Sequence, residues 1–239
     1  MSQIILPPPV IKRHEGVYVV RDDLLGHGSG TKARFMVRMF EQAEEIVYAT
    51  PAEGGAQTAL AWAARECGCR ATLFVAARQR RHPRTALAAA LGAKIAEVRP
   101  GYLNVAQARA REYAQAAGAT LAPFGLNTVA AIETLAAAAV SADFEPDEVW
   151  CAAGSGALAR ALAKAWPQAR RYAVQVGRAL TPAQVAGAQI HRCPLPFRKT
   201  AETQPPFPSD SHYDAKAWAI CRREKGAGRV LFWNVAGNP

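Results

Sequence analysis

Short β-branched runs alternate with alanine-rich stretches of helical length along nearly the whole chain, and three of the joints between them are rich in glycine. The runs at 45–50 (EIVYAT), 71–76 (ATLFVA), 94–98, 148–152 (EVWCA), 172–176 and 229–235 (RVLFWNV) are of strand length and lack a clean in-out alternation. Strands buried on both faces of a parallel sheet read in this way. Helical stretches at 58–66, 83–91, 104–117, 128–140 and from 157 to about 166 separate them. This order predicts an α/β protein of parallel sheets with helices on both faces. The β-α units recurring from 47 to 121 predict a smaller lobe at 47–122. Pro123-Phe124-Gly125-Leu126-Asn127 breaks the recurrence, so residues 1–46 and 123–239 are assigned to a larger lobe.

The first glycine-rich joint lies in 17–38 (VYVVRDDLLGHGSGTKARFMVR), where a strand expected at 17–20 gives way to Gly26, Gly28 and Gly30 and then to Lys32 at the start of a helix expected over 35–44. A lysine fixed at such a junction suits a Schiff base to an aldehyde cofactor. An NTP-binding loop is excluded, because it needs Gly before the Lys and Ser or Thr after it, whereas Thr31 precedes Lys32 and Ala33 follows. His27 reads as a turn residue. The second joint, Gly54-Gly55-Ala56-Gln57-Thr58, opens a helix whose first N–H groups can receive a carboxylate. The third, Gly154-Ser155-Gly156-Ala157, is the best phosphate seat in the chain. Gly154, Gly156 and Ala159 also match a dinucleotide fingerprint, but the strand at 172–176 lacks the acidic residue that a ribose needs.

Among the 239 residues no apolar run reaches the roughly 18 to 20 needed to span a bilayer. The opening MSQIILPPPVIKRHEG lacks the features of a secretory signal. A cytoplasmic protein (host cytoplasm if viral) with no membrane partner is expected. Five scattered cysteines read as reduced thiols, and the Cys67–Cys69 pair reads as packing, with no metal expected. The net charge of +10 is locally dense at Arg78, Arg80, Arg81 and Arg84, and again at Arg99, Arg109 and Arg111. Arginine forks suit phosphates, so the first cluster is the expected nucleic-acid-binding face; the alternative is that the charge only keeps an alanine-rich chain soluble. The proline-rich stretch 187–210 is too long for a plain connection and is expected to cover the active site.

Six motifs in order carry a resemblance over nearly the whole chain from Val17: Arg21-Asp22-Asp23 before Gly30-Thr31-Lys32-Ala33-Arg34, then Gly55-Ala56-Gln57-Thr58, Pro123-Phe124-Gly125, Gly154-Ser155-Gly156, Tyr213-Asp214 and Val230-Leu231-Phe232. Together they resemble the fold type II pyridoxal-phosphate enzymes, the two-lobed group of tryptophan synthase β subunits and cysteine synthases. The nearest likeness is to its branch of aminocyclopropane-carboxylate (ACC) deaminases and D-cysteine desulfhydrases. The resemblance implies pyridoxal 5'-phosphate as cofactor and makes the larger lobe its binding lobe. It implies Lys32 as the Schiff-base lysine, Gly154, Ser155, Gly156 and Ala157 around the phosphate, and Gly54, Gly55, Gln57 and Thr58 at the substrate carboxylate or ring. Tyr213 is implied near the reacting centre. The family usually has Ser or Thr against the pyridine nitrogen where this chain has Val235, and Asn234 is the expected substitute. Relatives of this kind commonly form homodimers.

The resemblance implies chemistry at Cα of an amino-acid group. Shortness relative to the usual member and the basic charge favour a further likeness, to bacteriophage proteins that hypermodify thymine in DNA. The preferred expectation is decarboxylation, or a related lyase step, on an amino-acid-modified thymine. The alternatives are a lyase or deaminase of free amino acids and a non-catalytic binder of pyridoxal phosphate or DNA.

Overall fold

The computed structural model describes residues 4–99 and 101–238; the closing Pro239, read from sequence as the end of the final turn, lies outside them. In chain order the elements are β1 (Ile11–His14), β2 (Val17–Arg21), α1 (Ala33–Met39), β3 (Glu45–Ala49), α2 (Ala56–Glu66), β4 (Arg70–Ala76), α3 (Pro83–Ala90), β5 (Lys94–Val98) and α4 (Leu103–Ala117). They continue with β6 (Thr120–Leu121), α5 (Val129–Val140), β7 (Glu148–Ala153), α6 (Ala157–Ala165), β8 (Arg170–Gln175), β9 (Gln189–Arg192), α7 (Asp214–Glu224) and β10 (Val230–Asn234).

The chain forms two compact units, one built on Gly26–Phe124 and the other on Pro7–Leu25 with Gly125–Asn238. The first holds a four-stranded parallel sheet of order β5-β4-β3-β6. Alanines at 106, 110 and 114 put no bulk on one stripe of α4, so that helix lies close against Val47, Ala49, Phe74 and Val98. Helix α2 packs on β3 and β4, with α1 and α3 beside it. Residues 26–46 were expected in the larger lobe, and the structure corrects this. β3 pairs in parallel with both β4 and β6, and α1 packs on α2, so the segment from Gly26 onward is committed to this sheet. The expected strand-turn-helix around Lys32 therefore has its strand, β2, in one unit and its lysine in the other.

The second unit holds a six-stranded sheet of order β1-β2-β10-β7-β8-β9, parallel except at its first pair. β1 was not expected. It exists because Glu15 and Gly16 both take positive φ, 50° and 81°, making the two-residue turn whose twist suits a hairpin. Val149, Cys151, Leu231 and Trp233 pack on one face with Ala159 and Leu162 of α6. Trp150, Ala152, Val230 and Phe232 pack on the other with Ala217, Trp218 and Cys221 of α7. Covering both faces is why these strands read as continuous apolar runs.

The proline-rich stretch expected to cover the active site is instead seated on its own unit. Its start forms β9 on β8. Lys216 Nζ donates to the carbonyls of Pro196 (2.8 Å) and Phe197 (3.2 Å), and Phe207 is buried edge-on against Trp218.

Candidate active site

Lys32 stands one residue before α1, half-buried, after a run in which Gly28 and Gly30 take φ of 69° and 63°. Residues with side chains avoid that region, so glycine is what lets the chain turn there. The turn is tied to its neighbour by one hydroxyl. Thr58 Oγ1 lies 3.2 Å from the carbonyl oxygen of Gly28 and 3.1 Å from that of Gly55, and donates between them. The lysine turn and the Gly54-Gly55 turn are thus braced within a single unit.

At the second turn Gly55 caps α2, whose first turn carries no acidic side chain. A Cβ on Gly54 would come within 2.5 Å of Thr50 Oγ1, so the residue has to be glycine. Gln57, expected to face substrate or ring, is fully buried. Its Nε2 donates to the Ala52 carbonyl (2.6 Å) and its Oε1 accepts from Thr85 (2.8 Å). It holds the turn and α3 in place from beneath. Thr58 is likewise buried and acts as the brace described above. Of the four expected residues, Gly54 and Gly55 are the ones left partly open.

The expected nucleic-acid arginines are not alike. Arg78 and Arg81 are exposed and paired with Glu53 (2.6 Å) and Glu97 (3.0 Å), and Arg80 is exposed. Arg84 is only 4% exposed, which removes it from any surface patch. Helix periodicity explains the difference, since α3 begins at Pro83 and turns Arg84 inward.

In the other unit, Gly154, Ser155 and Gly156 link β7 to α6. Gly156 takes φ of 84°, and a Cβ there would overlap the Gln184 carbonyl. The first turn of α6 has no acidic residue, and its leading N–H groups have no partner within the helix. Tyr213 lies over this turn, with its Oη 3.3 Å from where a Gly154 Cβ would stand and donating to the Ala152 carbonyl at 3.3 Å. Burial first, then the charges of Asp214 and Asp210, push its hydroxyl well above the ordinary pKa of 10. Asn127, which the sequence reading passed over as loop, donates to the Ser155 carbonyl (3.2 Å), and Gly125 packs on Ser155. Its signal was the Pro-x-Gly segment just before it.

Asn234 is fully buried at the end of β10, and its Nδ2 donates to Asp23 (2.7 Å) and the Pro208 carbonyl (2.9 Å). Arg21 clasps the same Asp23 with two bonds, 2.8 and 2.7 Å. The amide therefore knits β2, β10 and the 208 segment together, and its buried Oδ1 accepts no hydrogen bond. Among the described residues no cluster of His, Cys, Asp and Glu could hold a metal. No helix of the described residues is long and apolar enough to cross a membrane.

An ACC deaminase homologue superposes with a TM-score of 0.76 at 17% identity, over 92% of this chain and 84% of that one. Diaminopropionate ammonia lyase of Escherichia coli gives 0.67 at 15%, over 93% and 78%, and maize serine racemase gives 0.70 at 13%, over 93% and 84%. At such identities the likeness is one of fold. Comparison of the sequence with curated proteins gives no significant match. The family model for pyridoxal-phosphate dependent enzymes matches residues 3–230, and the chain belongs to that family.

Proposed function

We propose that this protein is a pyridoxal-phosphate-dependent lyase of the deaminase or desulfhydrase kind, acting at Cα of an amino acid. The observation that carries the reading is the Thr58 brace, which ties the lysine turn and an open, acid-free Gly54-Gly55 turn into one unit. The ACC deaminase homologue and the ammonia lyase among the similar folds support the reaction class.

The residues fit the cofactor. The left-handed Gly156, the small neighbours Gly154, Ser155 and Ala157, and the unpaired first N–H groups of α6 suit a phosphate. Asn234 Oδ1 is an acceptor suited to a ring nitrogen that carries a proton. Lys32 would hold the aldehyde end through its amine. When bound, pyridoxal phosphate supplies a sink for the electron pair released at Cα. Lys32 Nζ moves the proton at Cα, Tyr213 Oη keeps its own proton through the neutral range and can lend it to a leaving group, and the Gly54-Gly55 turn orients the substrate carboxylate.

A second reading keeps the chemistry and moves it to an amino-acid-modified base in DNA. It is favoured by the net charge of +10 and by the exposure of Arg80, Arg99, Arg109 and Arg111.

The test is the absorbance of the purified protein beside Lys32→Ala, with ammonia and keto-acid release assayed over D- and L-amino acids. A cofactor band present in wild type and lost in the variant, with ammonia released from at least one amino acid, is the expected result. Wild type that takes up no pyridoxal phosphate, or a band unchanged in the variant, would overturn the reading. A band without ammonia release, but with a response to DNA bearing an aminoacyl-thymine, moves it to the second substrate.

A further inference from the structure

We propose that Arg84 is a specificity-determining residue that binds the carboxylate of the amino-acid substrate at the Gly54-Gly55 turn and so selects substrates whose carboxylate is kept through the reaction. The inference rests on the functional reading above and names the substrate group that this half of the site recognises.

Local structure explains how an arginine from a basic stretch comes to lie inside. His82 Nδ1 accepts the N–H of Arg84 at 3.2 Å, capping α3, and Pro83 takes the first helical position, where a missing N–H costs nothing. The helix then turns Arg84, Leu87 and Ala88 toward the protein and leaves Ala86 and Ala90 in water. Residues 84 and 87 share one face. Leu87 Cδ2 lies 3.7 Å from where a Cβ on Gly28 would stand, and Arg84 Nη1 lies 3.1 Å from the same point on Gly55. One helix face therefore covers both turns that Thr58 ties together, with its apolar member toward the lysine turn and its cation toward the carboxylate turn.

The pairing of Gly55 with Arg84 is specific. A side chain at 55 would take the space into which Nη1 reaches, so glycine is what brings the guanidinium up to the main chain of the turn. A buried guanidinium is a costly way to fill space, since its desolvation is large and an alkyl side chain packs without it. Beside main-chain N–H groups it forms a planar set of donors matched to the two oxygens of a carboxylate.

The arrangement also bears on which bond breaks. A guanidinium that holds a carboxylate stabilises it as an anion, and loss of CO2 would discharge that anion against the pairing. Arg84 therefore favours deamination, elimination or racemisation over the decarboxylation expected from sequence.

The test titrates the holoenzyme with D- and L-alanine and with the corresponding alaninamides, in which the carboxylate is a neutral amide. Binding is read by the shift of the cofactor band and independently by calorimetry. Wild type should bind the better alanine enantiomer roughly tenfold or more tightly than its amide, as one charge-assisted contact predicts. Arg84→Gln should lose that preference while its affinity for the amide is unchanged, and Arg84→Lys should recover part of it. Gly55→Ala, which pushes a methyl toward Nη1, should lower the preference with the arginine still present. Melting temperature and circular dichroism identify variants that fold. Wild type with a normal cofactor band but no preference for alanine overturns the role of Arg84 alone, and so does a folded Arg84→Gln or Gly55→Ala that keeps the preference. Failure of the band itself, or its survival in Lys32→Ala, is instead failure of the cofactor reading.

Discussion

The hydroxyl of Tyr213 lies 3.3 Å from the point where a Cβ on Gly154 would stand, so the helix start of α7 rests directly on the turn that opens α6. Two residues 59 positions apart in the chain (213 minus 154) thus share one small surface. The glycines of this turn differ in what they tolerate. Gly156→Ala is expected to lower stability by about 3 kcal/mol or more, adding a left-handed backbone penalty to overlap with the rigid Gln184 carbonyl. Gly154→Ala meets only the end of a tyrosine and should cost about 1 kcal/mol. Thermal melts of both variants check the order, and equal losses would contradict it.

Tyr213→Phe separates chemistry from packing. The lost hydrogen bond to Ala152 is long, so stability should change by less than about 1 kcal/mol. If the hydroxyl lends a proton, kcat should fall by roughly 10² to 10⁴. Because burial holds this hydroxyl well above pKa 10, wild type should show no alkaline limb from Tyr213 in its pH profile up to that value. A limb below it that vanishes in the Phe variant would show the hydroxyl ionising in the working range.

Gln57→Leu should act on stability. It leaves the Ala52 carbonyl without its donor and the Thr85 hydroxyl without its acceptor, both buried, at a cost of about 2 to 5 kcal/mol. Denaturant titration measures this. A variant as stable as wild type with a raised KM would return Gln57 to the substrate.

Glu45 gives the first unit a dependence on acid. Burial pushes its pKa up, but hydrogen bonds from Thr72, Tyr113 and Arg70 outweigh this and hold it below the ordinary 4.5. Since the folded pKa is the lower one, the stabilisation is present above pH 4.5 and is lost as the pH falls through the folded value. Glu45→Gln should cost about 1 to 3 kcal/mol at neutral pH, and the gap to wild type should narrow in acid. A gap that is constant with pH would contradict the assignment.

Binding to duplex DNA, followed by fluorescence anisotropy over a salt series, tests the second substrate reading. Arg80→Glu with Arg99→Glu should flatten the salt dependence by roughly two phosphate contacts, whereas Arg84→Gln should leave it unchanged because that guanidinium is inside. No binding even at low salt would retire DNA as the substrate.

Chain chemistry by itself determined the α/β class, most strand and helix positions and the three glycine turns, because apolar periodicity and glycine's access to left-handed backbone are local properties. It did not reveal the hairpin at Glu15-Gly16, since a glutamate at positive φ carries no strong composition signal. Nor did it reveal that Gly26 starts a new unit, because β3 has partners on both sides only when Thr120-Leu121 returns to it from far along the chain. The tertiary structure alone decided which polar residues turn inward. Arg84 and Arg81 are indistinguishable as letters in one basic run, and Gln57 reads as well for a ligand as for a buried brace. What separates them is the face of α3 or α2 on which each falls and what lies opposite, and that is a property of packing between distant segments.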